Sequence, residues 1–216
     1  MEKKIAIVLA GCGVFDGAEI HETTMTMLAI HQAGGTYQCF APDLDQMHVV
    51  NHLNGKEMGE SRNVLVEASR IARGDIKPLD ELDMKDYDAI IFPGGFGVAK
   101  NLCSFAKDGP DCKVDTEVER VIKDTHEKKR PIGALCISPV LITRVLGDVQ
   151  VTIGSDPETM QAIGKMGGTH KETTHGQVVV DDKHKVYTTP CYMLDSNIGQ
   201  IYEGASGVVK KIMSVV

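Results

Sequence analysis

Short apolar runs alternate with amphipathic stretches along most of the chain. The apolar, β-branched runs predict strands at residues 4–10, 37–41, 88–92, 131–136, 149–153, 178–180 and 186–188. The stretches with helical periodicity predict helices at residues 16–33, 61–73, 114–128, 139–146 and 157–166, with a last helix that begins near residue 194. Strands that alternate with helices predict an α/β fold, with a mostly parallel sheet covered by helices on both faces.

Local signals refine the ends of two of these helices. Asp16, followed three residues later by Glu19, predicts the start of the first helix as a capping box. Gly204 and Gly207 interrupt the last helical pattern and leave its C-terminal limit open. The chain contains no Pro- or Ser-rich linker and no break in composition, so we predict one domain over residues 1–216.

Charge and cysteine usage exclude several classes of function. The formal net charge is −7, whereas nucleic-acid binding needs a basic stripe, so no nucleic-acid partner is expected. The apolar run at residues 5–10 is too short for a signal peptide or a membrane span, so we expect no membrane association and a cytoplasmic location. The six cysteines are widely spread, form no C-x-x-C pair and lack zinc-ligand spacing. They therefore favour a reducing compartment without a metal site.

One of these cysteines, Cys136, ends a predicted strand and lies just before a predicted helix. A strand–Cys–helix turn is a nucleophile elbow, which holds the thiol beside a helix N-terminus. The peptide dipoles and free N–H groups there are expected to lower the pKa of the thiol. Ala134 and Ser138 supply the small neighbours that a tight turn needs. Position alone fits a buried packing cysteine equally well.

Two further groups are predicted to lie at the same edge of the sheet. The Gly-rich loop at residues 93–97 follows a buried strand, and its backbone N–H groups, with that of Ile137, could form an oxyanion hole beside Cys136. Glu19 and Glu22 follow the Gly-Cys-Gly loop at the end of the first strand and share one side of a helical turn. A carboxyl near a thiolate would have a raised pKa and could donate or shuttle a proton, although such carboxylates also simply favour a helix start.

Long motifs resemble the glyoxalase ElbB family, a group of isoprenoid-biosynthesis-associated proteins. That family lies within the PfpI-type, class-I glutamine-amidotransferase-like superfamily. The similarity extends over nearly the whole chain and is carried by residues 11–22, 40–43, 61–65, 68–74, 92–97, 99–102, 136–139 and 188–190. It implies a flavodoxin-like three-layer sandwich and a homodimer.

The resemblance also implies roles for single residues. Cys136 falls on the nucleophile of the superfamily, and Glu22 falls on the acidic residue that hydrogen-bonds it. Gly95 and Ile137 fall on the backbone donors of the oxyanion hole. His170 falls near a position where members carry a histidine by the cysteine, although a lone histidine is more often a solvated or capping residue.

The sequence departs from related patterns at the elbow itself. No histidine follows Cys136, so a protease triad is not expected, and the G-x-C-x-G elbow and late His-x-Glu of a glutaminase are absent. Ser138 stands where close relatives usually have alanine, which would alter hydrogen bonding in the pocket.

The resemblance implies a glutathione-independent glyoxalase that converts glyoxal or methylglyoxal to a 2-hydroxy acid without a metal or organic cofactor. The small dicarbonyl would add to Cys136 as a hemithioacetal. Three alternatives use the same residues: a redox sensor in which Cys136 is oxidised to a sulfinic acid, a deglycase, and a non-enzymic binding scaffold.

Overall fold

A computed structural model describes residues 2–216 of the chain. The strands of this part are β1 Lys4–Val8, β2 Thr36–Ala41, β3 Val50–Asn51, β4 Lys56–Glu57, β5 Ile76–Pro78, β6 Ala89–Phe92, β7 Ile132–Leu135, β8 Gln150–Val151, β9 Thr169–His170, β10 Val179–Asp181 and β11 Val186–Thr189. The α-helices are α1 Ile20–Gln32, α2 Val64–Ile71, α3 Phe105–Asp108, α4 Thr116–Glu127, α5 Pro139–Leu146, α6 Pro157–Lys165 and α7 Ile198–Met213.

Seven of the strands form one sheet in the order β10-β11-β7-β6-β1-β2-β5. All neighbours are parallel except β10, which pairs antiparallel with β11 at one edge. The central strands β1, β6 and β7 are almost wholly buried apolar runs, as expected where helices cover both faces of a sheet. The α/β fold with a mostly parallel sheet, predicted from the sequence, is confirmed.

The carboxyl ends of the central strands lie side by side. In the sheet β6 separates β1 from β7, and β11 flanks β7 on its other side. The Gly-Cys-Gly loop follows β1, the Gly-rich loop follows β6, and Cys136 directly follows β7. The topology therefore places these three segments at one edge of the sheet, where ligand sites of open α/β sheets lie.

Two predicted helix boundaries are wrong. The N-cap of α1 is Glu19, whose side chain accepts a hydrogen bond from the N–H of Glu22, and not Asp16. Asp16 lies in the preceding loop, where its Oδ2 accepts a hydrogen bond from the N–H of Val50 at 2.7 Å. The last helix begins at Ile198, four residues later than predicted, because Asn197 and Gln200 form its capping box.

Glycine does not interrupt α7. A Cβ at Gly204 would lie 2.8 Å from Oγ1 of Thr189 and 3.3 Å from Sγ of Cys191. The missing side chain therefore allows α7 to approach β11 closely, and the helix continues through Gly204 and Gly207 to Met213. Tertiary packing here offsets the low helix propensity of glycine, which is about 1 kcal/mol below that of alanine.

Candidate active site

Cys136 lies in a sharp turn between β7 and α5. Its φ is +58°, a left-handed conformation that is uncommon for residues other than glycine. The turn is held by hydrogen bonds on each side: the N–H of Cys136 donates to the carbonyl of Thr189 at 3.0 Å, and Oγ of Ser138 donates to the carbonyl of Pro93 at 2.8 Å. The predicted nucleophile elbow is present, and the serine that replaces the usual alanine ties it to the loop after β6.

Glu22 lies on α1 and is fully buried beside the thiol. Its Oε2 accepts a hydrogen bond from the N–H of Gly94 at 2.8 Å, and its Oε1 accepts one from the N–H of Tyr192 at 3.2 Å. The carboxyl also lies beside the Cys136 side chain, since a Cβ built at Gly94 would be within 3 Å of both. Glu22 therefore connects α1, the loop after β6 and the segment after β11 at the position of the cysteine.

The Gly-rich loop fits closely around this pair. A Cβ at Gly94 would lie 2.3 Å from Cβ of Cys136 and 2.6 Å from Oε2 of Glu22, distances that real side chains do not adopt. Gly95 has a φ of +102°, and its backbone N–H and that of Ile137 lie near the Cys136 thiol and act to lower its pKa. Both proposed oxyanion-hole donors therefore lie next to the sulfur.

The thiol and the carboxyl both hold their protons more tightly than usual. Burial, with the charge of Glu19 as a smaller cause, raises the pKa of Glu22 to about 8. Burial also raises the pKa of the Cys136 thiol, and the Glu22 charge adds to this, while the N–H groups of Gly95 and Ile137 oppose it. The expected net lowering of the thiol pKa by the helix N-terminus is therefore wrong, because burial outweighs it.

The two backbone N–H donors to Glu22 lower its pKa, but burial outweighs them and favours a neutral carboxyl. A protonated carboxyl can accept both backbone N–H groups and donate its own O–H to the sulfur of Cys136. If both side chains were ionised, two negative charges would be buried in contact, which costs far more than losing a single proton from the pair. The pair therefore loses one proton far more easily than two, and the remaining proton can pass between the carboxyl and the sulfur.

The other acidic and basic candidates make different contacts. Glu19 is the N-cap of α1. His170 lies on β9, and its Nε2 accepts a hydrogen bond from the N–H of Ile153 at 3.2 Å. Within residues 2–216, His170 is not among the residues that line the cavity over Cys136. Glu19 and His170 thus have structural contacts, whereas Cys136, Glu22, Gly95 and Ile137 are brought together.

Gly94 and Tyr192 complete the site but were not predicted as site residues. Gly94 belongs to the predicted loop, yet only the packing shows that its N–H binds Glu22. Tyr192 follows β11, and its N–H binds the same carboxyl while its hydroxyl hydrogen-bonds Nδ1 of His21 at 2.8 Å. The strand-end rule could have indicated the segment after β11, but the sequence carries no signal for the order of strands beside β7.

A cavity of about 400 Å³ opens over the thiol. Its lining residues are Val14, Phe15, Gly95, Phe96, Phe105, Cys136, Ile137, Asp156, Thr159, Tyr192 and Met193. Cys136 itself is only 7% exposed, so a molecule reaches the sulfur through this opening.

Between residues 2 and 216, the His, Cys, Asp and Glu side chains form no group of three or more suited to hold a metal ion. Over that span no helix combines the length and the apolar character that crossing a bilayer requires.

The chain is similar to known proteins over most of its length. It is 46% identical to the human glutamine amidotransferase-like class 1 domain-containing protein 3, mitochondrial, over 98% of this chain and 83% of that protein. It is 45% identical to the rat ES1 protein homolog, mitochondrial, over 98% of this chain and 84% of that protein.

A solved structure has the same fold. It is the isoprenoid biosynthesis protein with amidotransferase-like domain from Ehrlichia chaffeensis, which superposes with a TM-score of 0.92 at 33% identity, over 99% of this chain and all of that one. Glyoxalase III from Candida albicans superposes with a TM-score of 0.63 at 13% identity, which supports the fold alone. The model of the DJ-1/PfpI family matches residues 3–191, and the chain therefore belongs to the DJ-1/PfpI family.

Proposed function

We propose that this protein is a glutathione-independent glyoxalase of the ElbB type, with Cys136 as nucleophile and Glu22 as proton donor and acceptor. The observation that carries the proposal is the buried Glu22 carboxyl, whose pKa is raised to about 8, in contact with a thiol that opens into a cavity. Proton transfer between adjacent carbons needs a group that both gives and takes a proton near neutral pH, and such a carboxyl meets this need.

The reaction proceeds by covalent addition. The Cys136 thiolate adds to an aldehyde carbon of glyoxal or methylglyoxal, and the N–H groups of Gly95 and Ile137 stabilise the resulting oxyanion. Glu22 protonates that oxygen to give the hemithioacetal. It then moves the proton from the former aldehyde carbon, through an enediol, to the neighbouring carbon, which leaves a thioester on Cys136. Water hydrolyses the thioester to glycolate or lactate and regenerates the thiol.

His170 takes no part in this scheme. It is hydrogen-bonded to the backbone of Ile153 and lies outside the lining of the cavity, so Glu22 is the proposed base on its own. The reaction requires no oxidant and no electron carrier, because the oxidation of one carbon is balanced by the reduction of its neighbour.

The test is glyoxal and methylglyoxal turnover in a buffer free of amines and thiols, with the product identified by NMR. We expect the wild-type protein to form glycolate and lactate, and Cys136→Ser to lose at least about a hundredfold in kcat/KM. Cys39→Ser is the matched control, since Cys39 is also a buried thiol but lies on β2 and does not line the cavity. Equal turnover by wild type and Cys136→Ser would contradict the proposal.

The same experiment distinguishes direct glyoxalase activity from deglycase activity. A deglycase needs an adduct of the dicarbonyl with an amine or thiol, so it would show product only after such compounds are added. Formation of glycolate in their absence supports direct glyoxalase chemistry.

We also propose that residues 1–216 act as one domain and that the protein is a homodimer. Ile20 and Leu28 on α1 and Ile198 on α7 are apolar side chains exposed by 40–51%, and a second copy of the chain could cover them.

A cytoplasmic location stays a prediction, since the human and rat relatives are named as mitochondrial.

A further inference from the structure

The phenylalanines of this chain are divided between two places. The sequence has five Phe and no Trp. Two of them, Phe40 and Phe92, are fully buried in the core. The other three, Phe15, Phe96 and Phe105, all line the cavity over Cys136. Aromatic surface, which is scarce in this protein, is therefore concentrated around the thiol.

Much of this aromatic surface is open to solvent. Phe15 is 41% exposed and Phe96 is 47% exposed. Val14, Ile137 and Met193 extend the apolar wall. Binding of a ligand over exposed apolar surface at the mouth of a cavity is favourable, because it removes apolar area from water.

The cavity is also much larger than the simplest dicarbonyls require. Its volume of about 400 Å³ lies within the roughly 300–1,000 Å³ typical of sites for drug-sized ligands. A two-carbon dialdehyde bound to Cys136 would leave most of the aromatic wall uncovered.

The charges at the cavity indicate a neutral ligand. Among residues 2–216, no Lys, Arg or His lines it, and the one charged lining residue is Asp156. Lys100 is not a lining residue but lies beside the cavity: its Nζ donates to the carbonyl of Phe15 at 2.8 Å and lies 4.7 Å from the centre of the Phe96 ring. A phosphate or carboxylate on the substrate would meet Asp156 in the lining, and the one nearby ammonium, that of Lys100, is already engaged by the Phe15 carbonyl and the Phe96 ring.

We infer that the preferred substrate is a neutral 2-oxoaldehyde with an aromatic or similarly bulky apolar group, an arylglyoxal in chemical class. This inference rests on the proposed function, since it assigns the substrate of the same thiol. The aldehyde carbon bonds to Cys136, and the apolar group lies against Phe15, Phe96 and Phe105. The proton shift and thioester hydrolysis then yield a 2-hydroxy-2-aryl acetate, with one water consumed.

Phenylglyoxal and methylglyoxal serve as the two probes. The quantity to measure is the ratio of their kcat/KM values in wild type, Phe15→Ala, Phe96→Ala and Tyr37→Ala. Tyr37 is the matched control, because it is an aromatic residue exposed by 41% that does not line the cavity. Intrinsic differences in carbonyl reactivity cancel when the ratio is compared between variants.

We expect the wild-type ratio to favour phenylglyoxal by at least about tenfold, since even one methylene in an apolar pocket changes specificity roughly 10–200-fold. Each Phe→Ala change at the cavity should lower the ratio about tenfold, and Tyr37→Ala should leave it unchanged. A wild-type ratio of one or less, or a ratio that the cavity variants do not alter, would overturn the inference.

A second measurement does not depend on turnover. Acetophenone, which carries the aryl ketone but no aldehyde, should slow alkylation of Cys136 by iodoacetamide, as followed by mass spectrometry, and acetone should not. Phe96→Ala should abolish this protection. Protection without turnover of any dicarbonyl would contradict the glyoxalase proposal but leave an apolar ligand site. Turnover of methylglyoxal without protection would contradict only the substrate assignment.

Discussion

At the scale of single residues, the decisive feature is a carboxyl that stays neutral in contact with a thiol. Glu22 is fully buried, and its two oxygens accept backbone N–H groups from Gly94 and Tyr192. A raised pKa means that the folded protein binds the proton of Glu22 more tightly than the unfolded chain does. Glu22 therefore contributes a pH-dependent part of the free energy of unfolding.

The sign of this dependence gives a prediction. Between the usual carboxyl pKa of 4.5 and about 8, the folded state keeps the proton and the unfolded state loses it. The contribution of Glu22 to stability is full at low pH and is lost as the pH rises through this window, with a slope approaching about 1.4 kcal/mol per pH unit. Urea unfolding from pH 5 to 8.5 should show a flatter pH dependence for Glu22→Gln than for wild type.

Glu172→Gln is the control for this experiment, because it removes an exposed carboxyl. It should retain the wild-type slope. Glu22→Gln should also be less stable at pH 5, by about 1–3 kcal/mol, since its amide NH₂ must face one of the two backbone N–H groups. Identical slopes for wild type and Glu22→Gln would show that Glu22 ionises normally.

At the scale of elements, the loop after β6 determines how closely the site can assemble. This loop supplies the N–H of Gly94 to Glu22 and the N–H of Gly95 to Cys136. A Cβ at Gly94 would clash with both side chains, and a Cβ at Gly95 would lie 2.3 Å from the carbonyl oxygen of Gly17 and 2.4 Å from the backbone nitrogen of Glu19. The site therefore depends on a backbone approach that no other residue type permits.

Gly94→Ala tests this dependence. The added methyl would lie 2.3 Å from Cβ of Cys136, so the loop or the elbow must move. We expect glyoxalase kcat/KM to fall by at least about a hundredfold, since displacements of about 1 Å at a reacting centre cost that much. Gly59→Ala is the matched control, with nothing within 4 Å of its added methyl, and should retain activity. A fully active Gly94→Ala variant would mean that the loop does not position the pair.

At the scale of the whole molecule, the sheet brings together segments that are far apart in the chain. Glu22 comes from α1, Gly94 follows β6, Cys136 follows β7 and Tyr192 follows β11. The order of strands in the sheet makes these four positions neighbours.

The proposed homodimer gives a prediction at this scale. A charge placed in a dimer interface costs several kcal/mol, whereas on an open surface it costs little. We expect sedimentation equilibrium to give a dimer for wild type and for Leu53→Glu, since Leu53 is 97% exposed. Leu28→Glu should shift the protein to monomer. A wild-type protein that sediments as a monomer would contradict the proposal.

The sequence by itself determined the layered fold and the identity of the elbow cysteine. Apolar runs at β1, β6 and β7 have the length and composition of buried parallel strands, and Cys136 follows one of them directly. Strand-end glycines and Glu22 were recognisable because local patterning and a long family motif coincide there. The wrong boundaries of α1 and α7 arose where capping and close packing replaced the expected local signals.

Tertiary structure alone determined the protonation of Glu22, the residues that contact it and the residues that line the cavity. The raised pKa of Glu22 results from burial, which depends on α1, β6 and β11 packing together and has no local signature. Tyr192 is 170 residues from Glu22, and His170 was separated from the cavity by the same long-range packing. Three of the five phenylalanines surround the thiol for a similar reason: composition counts aromatic residues, but only the folded chain determines which of them the core leaves exposed.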